Sequence, residues 1–317
     1  MVQQTSGEPG CVTGPGCGRL TIRANHAISD GGGIYNGPSS LAPAAGAAMT
    51  VSFSTIANNS ADSSGGGAYN TSNLKIVKTT VDQNTALGGG GFSNALAGAL
   101  RITGSTLSHN HANDGYGGGL RNLGSAAETS LVNSTVAFKQ SVFHGGGLAD
   151  VQGTIDLSNV TVAQNEATGT GTGGGIYAST GQTFTLRNTI VRFNEDPQFT
   201  APDCGGTFQS DGHNAVAYLF GCTLVGGTGD INNNDLRLGN LGDYGGPTLT
   251  YSLMPDSPAV DKGNPAGCDD SNGLALVNDQ RGLPRIFDGD QNGNARCDIG
   301  AYELSLAPEL WLASLSR

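Results

Sequence analysis

A block of three glycines followed by an apolar residue recurs six times between residues 31 and 178. Successive blocks start 34, 24, 28, 28 and 28 residues apart. A unit of this length holds only two or three short strands and cannot bury an apolar side alone, whereas stacking on similar neighbours buries it. The repeat therefore predicts a solenoid in which each unit forms one coil. The blocks begin at Gly31, Gly65, Gly89, Gly117, Gly145 and Gly173.

A second block lies between the glycine blocks and alternates apolar and polar residues before it ends in Asn. Residues 100–110, with the sequence LRITGSTLSHN, are one copy. Alternation with a period of two is typical of strands. We therefore expect two inward columns of apolar side chains. One column is Ile56, Val81, Leu107, Val136, Val162 and Val191, and the other is Ile34, Ala68, Phe92, Leu120, Leu148 and Ile176.

Asparagines recur at two registers of the repeat. Asn tolerates the left-handed backbone that a sharp corner needs, so we expect these residues at the corners of the coils, with their amides stacked. In the fourth copy Lys139 takes the place of the asparagine. The first register holds Asn59, Asn84, Asn110, Asn165 and Asn194, and the second holds Asn36, Asn70, Asn94 and Asn122.

These patterns predict an all-β chain that forms a right-handed, single-stranded parallel β-helix of about seven coils with a C-terminal cap. We divide the chain into an N-terminal segment (1–19), the β-helix repeats (20–235), the cap (236–305) and a tail (306–317). A column of threonines (Thr55, Thr80, Thr106, Thr135 and Thr161) is expected to face outward from one strand of each coil. We interpret it as ordinary β-branched strand packing.

Charge and hydropathy exclude two classes of partner. The net charge is −11, so the basic surface that nucleic acid binding needs is absent. No run of 18 apolar residues occurs, so we expect no insertion into a membrane. Residues 230–303 hold twelve Asp or Glu and five Lys or Arg. This region is therefore the more favourable one for binding a cation.

The cysteines indicate an oxidising compartment. The chain has six, and their even number and wide spacing favour disulfides over a zinc site. We expect the pairs Cys11–Cys17, Cys204–Cys222 and Cys268–Cys297. The first ten residues are polar and lack the apolar core of a signal peptide, so we expect that an extracellular chain has lost its original N-terminus.

The repeats, taken together, resemble bacterial right-handed parallel β-helix surface proteins of the pectate-lyase-like superfold. The C-terminal third is similar to the choice-of-anchor Q domain, which follows such repeats in bacterial surface proteins. This resemblance implies an extracellular or cell-surface location and implies no reaction. The motifs that carry it are DLRLG at 235–239, GGPTLT at 245–250, DSPAVD at 256–261, DQRGLPR at 279–285 and CDIGAYE at 297–303.

An acidic turn in the cap region matches the beginning of an EF-hand-like calcium loop. Asp288, Asp290, Asn292 and Asn294 supply oxygen ligands at positions 1, 3, 5 and 7, and Gly293 stands at position 6. Position 12 is Ile299 instead of the usual bidentate Glu. The sequence therefore predicts a calcium site here, and the alternative is a solvated turn.

Two other groups of polar residues are candidates for chemistry. His111, Asp114 and His144 lie just before successive glycine blocks, where a His beside a carboxylate can act as a general base or hold a metal. The alternative is a pair of polar surface loops. The second group is interpreted as a structural ion-pair network that seals the end of the solenoid. It contains Asp279, Arg281, Arg285, Asp298 and Glu303.

We interpret the protein as a secreted or cell-surface β-helix that acts as a non-enzymatic adhesion or carbohydrate-binding scaffold. Its expected partner is an extracellular polysaccharide or a cell-surface glycan, and calcium is the one cofactor that the sequence suggests. The alternative is a polysaccharide-active enzyme, either a lyase or a glycoside hydrolase. For that chemistry the outward columns offer Lys75 beside Arg101, with Asp156 two coils further on, but no acidic cluster beside the basic pair.

Overall fold

The computed structural model describes residues 20–37 and 48–305, and these residues form strands and turns without a helix. Stacked coils build a parallel β-solenoid with three sheets along its sides. Because Cys11 and Cys17 lie outside the described residues, their predicted pairing stays a prediction. The boundaries predicted for the four segments also stay a prediction.

The first two sheets contain short strands. The nine-stranded sheet consists of β1 (Thr21–Arg23), β5 (Thr55–Ala57), β9 (Thr80–Asp82), β13 (Thr106–Ser108), β16 (Thr135–Ala137), β19 (Thr161–Ala163), β23 (Ile190–Arg192), β25 (Ala215–Val216) and β27 (Ile231–Asn232). The six-stranded sheet consists of β2 (His26–Ala27), β6 (Ser60–Ala61), β10 (Thr85–Ala86), β14 (His111–Ala112), β17 (Gln140–Ser141) and β20 (Glu166–Ala167).

The third sheet has twelve strands, two of them long. It consists of β3 (Ile34–Asn36), β4 (Ala48–Ser52), β7 (Ala68–Asn70), β8 (Asn73–Val77), β11 (Phe92–Ala95), β12 (Ala99–Thr103), β15 (Leu120–Val132), β18 (Leu148–Ser158), β21 (Ile176–Ala178), β22 (Thr183–Arg187), β24 (Cys204–Ser210) and β26 (Cys222–Gly226). An antiparallel pair, β28 (Leu238–Gly242) with β29 (Thr250–Leu253), follows the solenoid. The solenoid has about six turns where the sequence predicts about seven. Six coils carry strands in all three sheets. Beyond β20 the side formed by the six-stranded sheet continues only as a single bridge between Glu166 and Glu195.

Both predicted apolar columns are confirmed. The column that contains Ile56 runs in register through the nine-stranded sheet, and the column that contains Phe92 runs through the twelve-stranded sheet. Their side chains are buried and form one continuous core. Since strands of neighbouring coils lie about 4.8 Å apart, each apolar residue packs on its counterpart in the next coil.

The prediction that asparagines adopt the corner conformation is wrong. Positive φ occurs one residue earlier, at Asn58, Gln83, His109, Phe138, Gln164 and Phe193. The predicted stacking of the amides is confirmed: the asparagines are buried, and their amides bond to each other and to neighbouring backbone. We call Asn59, Asn84, Asn110, Asn165 and Asn194 the first asparagine ladder; for example, Nδ2 of Asn84 donates to Oδ1 of Asn110 at 2.8 Å. Asn36, Asn70, Asn94 and Asn122 form the second asparagine ladder.

The first glycine of each block turns the backbone, with φ of 73° at Gly31 and 68° at Gly65. The second glycine is required by close packing, since a Cβ on Gly66 would lie 2.4 Å from the Thr85 carbonyl oxygen of the next coil. No side chain other than hydrogen fits such a contact. The blocks therefore set the corner between the six-stranded and twelve-stranded sheets.

The C-terminal region, residues 236–305, packs along the outer face of the nine-stranded sheet. It covers the threonine column: Thr135 bonds to Thr250 at 2.9 Å and to Gln280 at 2.7 Å, and Ala301 donates to Thr161 at 3.1 Å. A second apolar core joins this region to outward alanines of the sheet. The predicted outward threonines are therefore buried in the middle coils.

The expected ion-pair network exists, but it does not lie at the end of the solenoid. Arg281 contacts Asp279 at 2.7 Å and Arg285 contacts Glu303 at 3.3 Å, and all four side chains are buried. Arg285 also donates to Asn133 of the solenoid at 2.8 Å. The network therefore holds the C-terminal region against a side face. The cap disulfide Cys268–Cys297 lies in the same region, and Cys204–Cys222 joins two strands at the last coils, so both of these predicted disulfides are confirmed.

Candidate functional site

A depression of about 640 Å³ crosses the outer face of the twelve-stranded sheet. We call it the charged groove. One row of its floor is Lys75, Arg101, Ser130 and Asp156, which are in register on four successive coils. The neighbouring row contains Glu128. With about 4.8 Å between coils, the basic pair and Asp156 lie on the same face within a few coils of one another.

A turn of the C-terminal region, represented by Ser271 and Asn272, forms one wall of the charged groove. It is anchored by Asp270, whose carboxylate accepts from Arg101 at 2.7 Å. Burial raises the pKa of Asp270, but hydrogen bonds from Arg101, Leu274 and Asn272 outweigh this and leave the pKa lowered. Arg101 is therefore neutralised in part by the wall, and Lys75 is the exposed cation of the groove.

The acidic part of the charged groove contains a perturbed carboxyl group. Burial raises the pKa of Asp156, and the charges of Asp211 and Glu128 act in the same direction. A hydrogen bond from Thr185 and the charge of Arg187 oppose the shift. Acids with raised pKa beside a second carboxylate are common at catalytic sites, although structural networks produce them too. The sequence predicted the row Lys75, Arg101 and Asp156, but it missed Glu128, which stands in the adjacent row.

A second groove follows the corner between the nine-stranded and six-stranded sheets. It consists of two adjoining depressions of about 400 and 380 Å³ that share Gln164 and Glu166. We call it the corner groove. Its other lining residues include His109, Phe138, Gln140, Phe193, Asn240 and Tyr251, the last two from the C-terminal region. The C-terminal region therefore forms a wall of both grooves, one at each edge of the nine-stranded sheet.

The aromatic rings of the corner groove stand at backbone positions with positive φ. Phe138 and Phe193 have φ of 53° and 59°, a conformation that bulky residues rarely adopt. Phe138 is 37% exposed and stacks on His109 at 5.2 Å between ring centroids, and Phe193 is 42% exposed beneath the Arg192 guanidinium. Equivalent residues of the other coils, such as Gln83 and Gln164, share this conformation, so the corner of the solenoid imposes it and directs both rings outward.

Polar side chains accompany these rings. Gln140 donates to Glu166 at 2.9 Å, and Gln164 accepts from the Tyr251 hydroxyl at 2.6 Å. Apolar ring surface beside a few placed amide and carboxylate groups is the usual composition of a small-molecule or glycan site. No sequence pattern indicated this groove, because it unites corner residues between 109 and 195 with a segment at 238–251 that lies much further along the chain.

The three residues proposed from sequence as weak catalytic candidates are not assembled into a site. His144 stacks between Tyr116 and Tyr177, at centroid distances of 5.4 and 4.3 Å, and its Nδ1 accepts from the Thr172 N–H at 2.9 Å. Burial lowers the pKa of His144, so the ring is neutral at physiological pH. His111 pairs with Gln140 in the six-stranded sheet, and Asp114 is exposed in the following turn. Among the described residues, no hydrogen bond or ion pair joins these three side chains.

The acidic turn of the cap gains a ligand that the sequence did not indicate. Carboxylate oxygens of Asp261, Asp288 and Asp290 lie within 4.8 Å of one another. Asp261 is buried, and its oxygens accept from the backbone N–H groups of Asp290 and Arg296 at 3.1 and 3.0 Å. Three carboxylates at this separation repel one another, and oxygen donors of this kind suit a hard divalent cation. The three carboxylates could therefore hold a metal ion.

The other two predicted ligands, Asn292 and Asn294, make hydrogen bonds within the turn. The Asn292 amide donates to Asp290 at 2.7 Å, and its Oδ1 accepts from Asn294. Asp298 and Glu303, the next carboxylates along the chain, accept from backbone donors in the buried ion-pair network.

No family model, curated protein or solved structure matches the chain. The resemblance stated from the motifs therefore rests on the sequence alone, and the parallel β-solenoid is what the structure establishes. Within residues 20–37 and 48–305, no helix has the length and apolar character to cross a membrane.

Proposed function

We propose that the protein is an extracellular β-helix scaffold that binds a polysaccharide or cell-surface glycan along the corner groove. The observation that carries this proposal is the exposed Phe138 and Phe193 rings, held at corner positions beside Gln140, Gln164 and Asn240. Ring faces pack on the apolar side of a sugar, and amides bond to its hydroxyls. Two disulfides and the resemblance to choice-of-anchor Q surface proteins support an extracellular location at a bacterial surface.

A glycan array followed by titration with the best ligand tests this proposal. The double variant Phe138→Ala and Phe193→Ala should weaken binding at least tenfold. Phe199→Ala and Phe220→Ala is the matched control, because these rings are 53% and 56% exposed but do not line the corner groove. Equal affinity of both double variants and the parent protein would contradict the proposal, as would a lack of binding to any glycan.

The charged groove favours a second candidate function, cleavage of a polysaccharide. Glycoside hydrolases use two carboxyl groups, one of which is a protonated acid with a raised pKa. Asp156 has the raised pKa, and Glu128 is the nearby carboxylate. In this mechanism Asp156 donates a proton to the leaving oxygen, Glu128 activates water or attacks the sugar, and Lys75 orients an anionic substituent.

An activity screen on neutral and acidic polysaccharides distinguishes the two functions. If the charged groove is catalytic, Asp156→Asn and Glu128→Gln should each lower kcat at least a hundredfold and leave the corner-groove ligand bound. Asp62→Asn, an exposed acid on another coil, is the control. If the parent protein binds a glycan but cleaves none, the result supports the scaffold function and contradicts the catalytic one.

We also propose that Asp261, Asp288 and Asp290 bind calcium. The support is the approach of three carboxylates from two separate segments, one of them buried. Such an ion would join the turn at 288–294 to residue 261 and so stabilise the C-terminal region that walls both grooves.

A further inference from the structure

An apolar patch on the C-terminal region is exposed to solvent. It consists of Val277, Ile286 and Phe287, which are 69%, 55% and 41% exposed. The N–H of Arg285 donates to the Val277 carbonyl at 2.9 Å, so the two segments of the patch lie side by side. We call these three residues the cap patch. Contiguous apolar surface of this kind is characteristic of a docking site.

The backbone of the cap patch holds its side chains outward. Ile286 has φ of 74°, which is an outlier for a β-branched residue. The conformation is maintained because the N–H groups of Ile286 and Phe287 both donate to Oε1 of Glu303, at 2.9 and 3.0 Å. Glu303 is itself buried and paired with Arg285. The cap patch is therefore anchored by Glu303, two residues before the end of the described range.

The chain continues from this point into a strongly apolar segment. Residues 306–317 contain Leu306, Leu310, Trp311, Leu312 and Leu315, with only Glu309 and Arg317 charged. Residue 306 follows Glu303 by three positions, a reach of at most about 11 Å in an extended chain. The twelve residues are more than long enough to cross a patch that begins beside Glu303.

We propose that residues 306–317 dock on the cap patch of the same chain, so that the C-terminal segment straps the cap. The nearness of the exit point makes this contact intramolecular, since a tethered segment has a high effective concentration at an adjacent surface. This segment is the occupant that fits, because it is apolar like the cap patch and begins close to Glu303, which anchors the patch. The proposal is independent of glycan binding.

Trp311 is the only tryptophan of the chain, so its fluorescence reports on this contact alone. In the full chain we expect an emission maximum at shorter wavelength than in the unfolded protein, with several-fold weaker quenching by acrylamide. The double variant Ile286→Asn and Phe287→Ser should shift emission and quenching towards the values of the unfolded chain. Asn tolerates the backbone conformation of residue 286, so this variant keeps its fold, which the thermal unfolding transition verifies.

Phe199→Ser and Phe220→Ser, at exposed aromatic residues elsewhere, is the matched control and should leave the emission unchanged. Three results would overturn the proposal. Trp311 is quenched in the folded chain as in the unfolded one, or it is shielded equally in the cap-patch variant, or its shielding is lost on dilution. The last result would show that a second copy occupies the patch.

Discussion

Lys139 occupies the position between Asn110 and Asn165 in the first asparagine ladder, and the Lys139 N–H donates to Oδ1 of Asn165 at 3.2 Å. The backbone of Lys139 thus follows the ladder, but its side chain does not. Its Nζ is buried without a hydrogen-bond partner among the described residues. Burial lowers the pKa of Lys139 well below its ordinary value, and the charge of Asp82 opposes this only in part.

We expect Lys139→Asn to stabilise the protein. Between the folded pKa and the unfolded pKa of about 10.4, only the unfolded chain holds the proton, so stability falls by about 1.4 kcal/mol for each pH unit towards acid. The variant removes this loss and restores the amide contacts between Asn110 and Asn165. In denaturant titrations, the unfolding free energy of Lys139→Asn should exceed that of the parent protein by more at pH 7 than at pH 10.

Lys139→Met is the control for this prediction, since it removes the charge without restoring the amide. A gain for Asn over Met measures the ladder contact itself, about 0.5 to 1.5 kcal/mol for a hydrogen bond. Loss of stability in both variants would show that Lys139 has a partner that compensates for its burial.

The second asparagine ladder has an acid in its next position, and Asp150→Asn should also stabilise the protein. In four members of the ladder, Nδ2 donates to a backbone carbonyl on a following strand, for example Asn122 to Thr154 at 2.7 Å. A carboxylate has no hydrogen to donate, and both oxygens of Asp150 are buried without partners among the described residues. Burial raises the pKa of Asp150 to about 7, and the neighbouring Asn122 amide, which makes no hydrogen bond of normal geometry to either oxygen, opposes the shift only in part.

The sign of this effect follows from proton binding. Between the unfolded pKa of about 3.9 and the folded pKa, the folded chain binds the extra proton, so stability decreases as the pH rises through this window. About three pH units at ~1.4 kcal/mol each set an upper bound near 4 kcal/mol at neutral pH. Unfolding free energies of Asp150→Asn should therefore exceed those of the parent at pH 7.5 and nearly equal them at pH 4. A uniform change at both pH values would contradict the account.

Sequence periodicity predicted the coils because every inward residue, such as Val81 or Leu107, contacts its counterpart one repeat away. Such contacts have a sequence signature, and the structure confirms them. The same periodicity misplaced the corners, because an Asn at a turn suggests left-handed backbone, whereas Asn84 and Asn110 use their amides inside the coil. Whether an asparagine supplies a left-handed backbone or a buried amide depends on its burial, and the repeat pattern alone does not reveal burial.

Contacts of the C-terminal region could not be predicted in this way. Thr135 meets Gln280 across 145 residues, and no periodic pattern connects them. Both grooves and the acidic cluster depend on such contacts: Asp270 positions a wall of the charged groove, and Asp261 joins Asp288. The sequence therefore identified the solenoid and two of the three carboxylates of the cation cluster, but not the surfaces that the folded-back region creates.

Removal of the disulfide Cys268–Cys297 should destabilise the C-terminal region. Both cysteines are buried, and the Asn188 amide of the solenoid donates to the Cys268 sulfur at 3.4 Å. The double variant Cys268→Ser and Cys297→Ser should lose roughly 2–4 kcal/mol of unfolding free energy. Peptide mapping without reduction verifies the pairing, and free thiols at both positions in the native protein would contradict it.

Calcium should raise the melting temperature of the protein through Asp261, Asp288 and Asp290. An ion that binds only the folded chain stabilises it by about 2.7 kcal/mol at one hundred times its dissociation constant. Thermal unfolding should therefore be compared in millimolar calcium, in chelator, and in magnesium at matched ionic strength. A general salt effect would appear equally with both cations. We expect the calcium-specific rise to disappear in Asp288→Ala and in Asp261→Asn, and to persist in Asp243→Ala, an exposed acid of the same region. Identical transitions in all three buffers would show that the turn at 288–294 is closed by its own hydrogen bonds, without an ion.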